Sequence, residues 1–265
     1  MKLAITGKGG VGKTTITALL AHVLAKDGYK IFLVDADPAP NLGSALGIPE
    51  AVLEGVTPIS EMLDLISERT GVRPGSGYGA MFKLNPRVDD IPDRFSITNP
   101  DGIKLLVVGT IKAAESGCFC PENALLKRLL KHLILSSEEV LIMDMEAGIE
   151  HLGRGTIKTM DLLIIVLEPG MRSIKVAEQI KRLGTELGIE KFGAILNKVQ
   201  DSKRDEKIIG DKLSILSIPI LGTITFNKNL VQADLTGLPP YEIKDNKEII
   251  KEMEKIQTKI ETLIK

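Results

Sequence analysis

The segment Gly7–Thr14, with the sequence GKGGVGKT, constrains the fold more than any other part of the chain. It follows a short apolar run, Lys2–Thr6, and precedes a stretch of helical apolar spacing, Thr14–Lys26. Glycines allow backbone N–H groups to converge on phosphate oxygens, and the amino-terminal end of a helix favours the negative charge. The sequence therefore predicts a strand, a phosphate-binding P-loop and a helix.

Short apolar runs alternate with amphipathic stretches along the rest of the chain. The runs typical of buried strands are Lys30–Asp35, Ile103–Gly109, Val140–Asp144, Asp161–Glu168, Phe192–Asn197 and Pro219–Ile224. Amphipathic stretches such as Pro121–Leu135 and Ser173–Leu187 lie between them. This alternation predicts an α/β fold: a mostly parallel central sheet with helices on both faces, in a single domain of residues 1–265. Residues 48–100 are expected to form a surface insertion, since 71–100 are rich in Gly, Pro, Asn and Asp.

Charge and composition exclude several classes of partner. Lys and Arg number 34 against 35 Asp and Glu, and aromatic residues make up 3% of the chain, so we expect no nucleic-acid partner. No apolar run is long enough for a signal peptide or a membrane span. Only two cysteines occur, and a single residue separates them, which favours a reducing compartment. We therefore expect a cytoplasmic protein with no membrane partner.

The carboxyl-terminal stretch, residues 245–265, carries an apolar stripe at helical spacing. The stripe consists of Ile249, Met253, Ile256, Ile260 and Leu263. A helix on a membrane surface would carry a mainly basic polar face, whereas this one mixes lysines with glutamates. We expect it to dock on the protein's own sheet.

Several residues are candidates for binding a nucleotide and its magnesium ion. Lys13 would neutralise β and γ phosphate oxygens, and Thr14 would hold magnesium together with Asp35 and Asp144, which lie at the ends of strands. Asp37 would orient the attacking water. The alternative is that Asp35 and Asp37 are only turn residues before a proline. The predicted nucleotide-binding residues are Gly9, Gly10, Val11, Gly12, Lys13, Thr14, Thr15, Gly148, Asn197 and Lys198.

Asn197 and Lys198 end a predicted strand where a segment that recognises the base is expected. Selection of guanine by an Asn-Lys-x-Asp pattern needs an acid where this chain has Gln200, which favours ATP over GTP. Asn197 would contact adenine, or alternatively cap a turn.

From Lys8 the loop continues as KGGVGKTT, which resembles the deviant Walker A signature of the superfamily of nitrogenase iron proteins, partition ATPases and Min proteins. Two further stretches, Gly117–Pro121 with its Cys-x-Cys and Asp144–Gly155, resemble the carbon monoxide dehydrogenase maturation ATPases, the CooC-type nickel-insertion factors. The resemblance implies a homodimer that sandwiches two nucleotides, with Lys8 reaching the partner's phosphates. Catalytic roles then fall to Lys8, Lys13 and Asp37; Lys8 as a solvated charge is the alternative.

Cys118 and Cys120 provide at most two thiolates, whereas thiolate sites for Ni²⁺ or Zn²⁺ use about four ligands. Two chains facing each other would complete such a site. Together with this site, the resemblance implies an ATP-hydrolysing metallochaperone that delivers nickel to its client, carbon monoxide dehydrogenase. Buried cysteines, a redox-sensing pair, an iron–sulfur ATPase and a Min-type or partition-type spatial switch remain as alternatives. His151 either adds a metal ligand, transmits the loss of the γ phosphate, or is a solvated or capping side chain.

Overall fold

The structure, a computed structural model, describes residues 1–75, 81–109, 120–136, 139–146 and 159–265. Within these ranges eight strands form one sheet, in the order β3-β4-β2-β5-β1-β6-β7-β8. All neighbouring strands are parallel except β3 and β4. The strands are β1 (Lys2–Thr6), β2 (Ile31–Ala36), β3 (Ile97–Thr98), β4 (Lys104–Val107), β5 (Val140–Met145), β6 (Leu162–Leu167), β7 (Phe192–Val199) and β8 (Ile220–Thr225).

Helices pack against both faces of this sheet, which confirms the predicted α/β fold. They are α1 (Lys13–Lys26), α2 (Leu42–Ala45), α3 (Glu50–Leu53), α4 (Leu63–Thr70), α5 (Ile91–Phe95), α6 (Pro121–Ser136), α7 (Met171–Leu187), α8 (Ser202–Ile215), α9 (Lys228–Thr236) and α10 (Lys247–Ile264), with a 3-10 turn at Ile59–Glu61.

Strand β6 shows how the two apolar layers arise. Its side chains are fully buried and alternate between the faces, because successive residues of a strand point to opposite sides. Leu163 and Ile165 join the layer formed with α6, α7 and α8, whereas Ile164 and Val166 join the layer formed with α1 and α10. A strand covered on both faces has no polar positions, which explains the continuous apolar runs in the sequence.

The carboxyl-terminal helix α10 docks on the protein's own fold, as the sequence predicts. Ile249, Met253, Ile256 and Ile260 are buried, and the helix packs on β8 and α1. Gly222 of β8 lies under this helix, where a Cβ atom would overlap Cγ1 of Ile256. The absence of a side chain at Gly222 therefore permits the close approach.

Residues 48–100 do not all lie on the surface, which corrects the prediction of a surface insertion. Ile59, Ile66, Val88 and Ile91 are buried in the same apolar layer as α6, whereas Met81 is 96% exposed. Short elements such as α4 and α5 each contribute only a few apolar side chains to the core. Such scattered contributions give no periodicity from which a packed segment could be recognised.

The register of the parallel strands places polar residues at one edge of the sheet. Asp35 of β2 lies opposite Asp144 of β5, and Asp144 also lies opposite Ile5 of β1, directly before the glycine loop. The carboxyl ends of parallel strands are where ligands bind in open α/β sheets. In the described part of the chain, no helix has the length and apolar character needed to cross a membrane.

Candidate nucleotide-binding site

The glycine loop leads directly into helix α1 at Lys13. Gly12 precedes the helix with φ 92°, a left-handed conformation that glycine adopts without strain. A Cβ atom on Gly12 would also overlap Nδ2 of Asn197. Lys13 begins the helix and is only 6% exposed. Both backbone conformation and space therefore demand glycine at position 12.

The sequence predicts that Asn197 and Lys198 lie beside the nucleotide base. In the structure, both side chains donate hydrogen bonds to backbone carbonyls of the glycine loop. Nδ2 of Asn197 donates to the carbonyl of Val11 at 2.8 Å, and Nζ of Lys198 donates to the carbonyl of Gly10 at 2.7 Å. Because a trans peptide directs its C=O and N–H to opposite sides, the N–H of Gly12 points away from Asn197. Asn197 lies within β7 and bonds a residue 186 positions away, so it is not a local turn cap.

Lys198 is itself held by a second contact. Its Nζ lies 2.5 Å from Oε1 of Glu168, the residue that follows β6. Lys198 also has a φ of 58°, which is uncommon for a residue with a side chain. Lys198 and Asn197 both line the cavity described below, so bracing the loop and facing a ligand are compatible roles.

A hydroxyl and a carboxylate meet where the sequence predicts magnesium. Oγ1 of Thr14 donates to Oδ2 of Asp144 at 2.7 Å. Oδ1 of Asp144 is buried and accepts no hydrogen bond. Burial raises the pKa of Asp144 to about 7, and the nearby charge of Asp35 acts in the same direction. A buried carboxylate oxygen without a donor, beside a threonine hydroxyl, fits a hard divalent cation such as Mg²⁺.

Asp35 also has a raised pKa, but its carboxylate is occupied by backbone groups. Oδ1 accepts the N–H of Asp37 at 3.1 Å, and Oδ2 accepts the N–H of Leu42 at 3.0 Å. Burial raises the pKa of Asp35 to about 6, and the hydrogen bonds from Leu42 and Asp37 oppose this shift. Asp37 in turn accepts the N–H of Ala39 at 2.9 Å. Both aspartates thus organise the loop after β2, and Asp37 also lines the cavity.

A cavity of about 780 Å³ opens above the loop. The predicted residues Gly9, Gly10, Gly12, Lys13, Thr14 and Thr15 line it. Sequence reasoning missed the rest of its wall, which includes Asn41, Ser44, Glu146, Thr225, Phe226, Asn227, Leu230, Leu238 and Pro240. One signal was present: β8 was a predicted strand, and its carboxyl end had to lie at the same edge as the P-loop.

Other predicted residues lie apart from the cavity or outside the described ranges. Lys8 is exposed and is not among the residues that line the cavity. Cys120 is half-buried directly before α6, and its carbonyl accepts the N–H of Ala124 at 3.1 Å. Cys118, Gly148 and His151 lie outside the described residues. In the parts of the chain that the structure describes, no group of three or more His, Cys, Asp or Glu residues is placed to hold a metal ion.

The loop between β1 and α1, with the threonine–aspartate pair at the same sheet edge, defines a P-loop nucleotide-binding protein. A family model described as the CobQ/CobB/MinD/ParA nucleotide binding domain matches residues 2–241. The chain belongs to this family.

Two curated relatives match nearly the whole chain. It is 47% identical over 243 residues to the carbon monoxide dehydrogenase accessory protein CooC of Rhodospirillum rubrum, covering 92% of this chain and 90% of that protein. It is 45% identical over 259 residues to an uncharacterised ATP-binding protein of Methanocaldococcus jannaschii, covering 97% of this chain and 96% of that protein. The family match and these relatives confirm the prediction of a CooC-type ATPase.

Solved structures of similar fold include two nucleotide-bound proteins. A putative plasmid partition protein from Borrelia burgdorferi, bound to AMPPNP, superposes with a TM-score of 0.69 at 18% identity, covering 98% of each chain. The septum site-determining protein MinD of Pyrococcus horikoshii, complexed with Mg-ADP, gives a TM-score of 0.67 at 20% identity, covering 99% of this chain and 96% of that one. At these identities the likeness shows the shared fold.

Proposed function

We propose that the protein is a dimeric ATPase that binds nickel through Cys118 and Cys120 and promotes its insertion into carbon monoxide dehydrogenase. The observation that carries this proposal is the similarity, along nearly the whole chain, to an accessory protein of that enzyme. Nickel is the cargo, and Zn²⁺, which the same thiolates bind, is able to substitute for it.

In this proposal the P-loop binds ATP. Lys13 and the N–H groups of the loop contact the β and γ phosphates, and Asp37 orients the attacking water. Thr14 and Asp144 hold Mg²⁺, with Asp35 beside them. The magnesium ion neutralises charge on the phosphate oxygens when it is bound.

The position of Cys120 supports a metal site at the nucleotide edge of the sheet. β4 ends at Val107 at this edge, and α6 runs back from Cys120 to the start of the parallel strand β5. The start of α6 therefore lies at the same edge as the P-loop. The amino-terminal end of this helix of 16 residues favours the thiolate form of Cys120, which is the form that binds metal.

Dimerisation completes both sites in the proposed mechanism. A thiolate site for Ni²⁺ uses about four ligands, and one chain provides two cysteines. The cysteines of a second chain supply the remaining ligands. Lys8, which is exposed, reaches the phosphates of the partner. Loss of the γ phosphate then weakens the interface and releases nickel to the client enzyme.

A nickel titration of reduced, anaerobically purified protein tests the metal site. We expect thiolate-to-nickel charge-transfer bands that saturate at about one metal for two chains, and we expect Cys118→Ser and Cys120→Ser each to remove them. Lys13→Ala serves as the reciprocal variant, because it should abolish ATP hydrolysis and keep the nickel bands.

Two results would contradict the proposal. One is a brown protein with broad iron–sulfur absorption as isolated, which would assign the cysteines to a cluster. The other is an equal loss of hydrolysis in Cys118→Ser and Lys13→Ala, which would mean that the cysteines are part of the ATP site. Activation of nickel-free carbon monoxide dehydrogenase, dependent on both ATP and the cysteines, tests the client.

A further inference from the structure

One wall of the nucleotide cavity comes from a part of the chain far from the P-loop and begins where strand β8 ends. Thr225, the last residue of β8, lines the cavity together with Phe226 and Asn227. Since the P-loop takes the phosphates, this wall meets the remainder of the nucleotide. What fixes the position of Thr225 therefore affects how the nucleotide is held.

A glutamate of the carboxyl-terminal helix holds Thr225 with both of its carboxylate oxygens. Oγ1 of Thr225 donates to Oε1 of Glu252 at 2.7 Å, and the backbone N–H of Thr225 donates to Oε2 at 3.2 Å. Both bonds have an ionised acceptor, which makes them stronger than bonds between neutral groups. Glu252 is not among the residues that line the cavity.

Two neighbours keep this arrangement rigid. The N–H of Phe226 donates to the carbonyl of Val199 at 2.8 Å, which ties the end of β8 to β7. On the helix, Met253 and Ile256 are fully buried, with Ile256 seated over Gly222. Packing thus fixes the backbone of α10, and the carboxylate of Glu252 on this helix provides the acceptor for Thr225.

We propose that Glu252 is a positioning residue of the nucleotide site: through its two hydrogen bonds to Thr225, the carboxyl-terminal helix sets the affinity of the protein for nucleotide. Glu252 acts through Thr225 and does not touch the phosphates, so the chemical step is unaffected. This role rests on the nucleotide site of the proposed function and not on its nickel site, so a failure of nickel binding leaves it standing.

The test compares Glu252→Ala with Glu254→Ala, which removes the same charge from an exposed position of the same helix. We expect Glu252→Ala to raise the Kd for MgADP and the KM for ATP by about three- to tenfold, with kcat within about twofold of the wild type. Glu254→Ala should change none of these quantities. Glu252→Gln keeps one acceptor oxygen for Thr225, so its Kd should lie between those of the wild type and Glu252→Ala.

A purely structural role for Glu252 gives a different result. In that case Glu252→Ala lowers the Tm of the nucleotide-free protein but leaves the Kd at the level of Glu254→Ala, measured well below the Tm. That result would overturn the proposal, as would a fall in kcat at constant KM. A double-mutant cycle with Thr225→Val adds an independent criterion, since two side chains that act through one contact give non-additive changes in Kd.

Discussion

The buried carboxylate of Asp144 should make the nucleotide-free protein less stable as the pH rises, and Asp144→Asn should remove this effect. Burial raises the pKa of Asp144 from 3.8 to about 7. Between these two values the unfolded chain has lost the proton while the folded protein retains it. Because the folded state binds more protons in this window, the free energy of unfolding falls as the pH rises from about 4 to about 7.

The magnitude follows from the size of the shift. Each unit of difference in pKa between the folded and unfolded states corresponds to about 1.4 kcal/mol, so the wild type should lose about 2–3 kcal/mol more than Asp144→Asn between about pH 5 and about pH 8. The amide oxygen of the new asparagine still accepts a hydrogen bond from the hydroxyl of Thr14, so this local contact is kept. Asp35, whose pKa is raised to about 6, remains in both proteins and acts in the same direction, so part of the fall in stability persists in Asp144→Asn.

Denaturant unfolding in the presence of a chelator, repeated across this pH range, measures the effect. Asp211→Asn, on the exposed side of α8, is the control and should follow the wild type at every pH. Adding MgADP should flatten the pH dependence of the wild type, because a bound cation favours the ionised carboxylate. Parallel stability curves for wild type and Asp144→Asn would refute the assignment of a raised pKa to this group.

Three further substitutions probe the packing around the site. Gly12→Ala should lower the affinity for MgADP by more than about tenfold in a nucleotide titration, because it strains the backbone and pushes Asn197 away; normal affinity would contradict the geometry of the loop. Asn197→Ala should cost about 1–3 kcal/mol in denaturant unfolding, since the carbonyl of Val11 loses its donor, and an unchanged midpoint would speak against this contact. Gly222→Ala should destabilise the protein by about 1–3 kcal/mol, because the new Cβ meets Ile256; thermal unfolding at the wild-type temperature would exclude such tight packing.

The strands could be predicted because their burial leaves a direct trace in the sequence. Parallel strands covered on both faces are continuous apolar runs, and the predicted runs match β1, β2 and β4–β8 within a few residues. The edge strand β3 has only two residues, Ile97–Thr98, which is too short for any periodicity. For the same reason the buried residues of 48–100 were not recognised.

The site could be predicted only where its residues form a local motif. Lys13 and Thr14 have their positions fixed by the P-loop pattern, and Asp144 is identified by its place at the end of a strand. The bracing bond from Asn197 to Val11 joins segments 186 residues apart, and no local pattern encodes it. Glu252 looks in the sequence like one charge among many on an amphipathic helix, and only the docking of that helix gives it a partner.

Asp35 joins the two parts of the molecule that the proposed function requires to act together. Its backbone carbonyl accepts the N–H of Val108 at 2.8 Å and the N–H of Gly109 at 3.2 Å. Its carboxylate accepts the N–H groups of Asp37 and Leu42. One residue therefore anchors the loop that carries Asp37 and also the start of the connection from β4 towards the cysteines.

This anchor lies beside Thr14 and Asp144, the pair proposed to hold magnesium. Asp144, the neighbour of Asp35 in the sheet, bonds Thr14, and the charge of Asp35 contributes to the raised pKa of Asp144. Arrival of a divalent cation reverses the sign of the local field, so two buried carboxylates that repel each other are drawn towards one charge. Any displacement of Asp35 in response moves the hydrogen bonds on both sides of it. In the proposed mechanism the nucleotide state thus reaches the segment before Cys120 through the sheet edge itself.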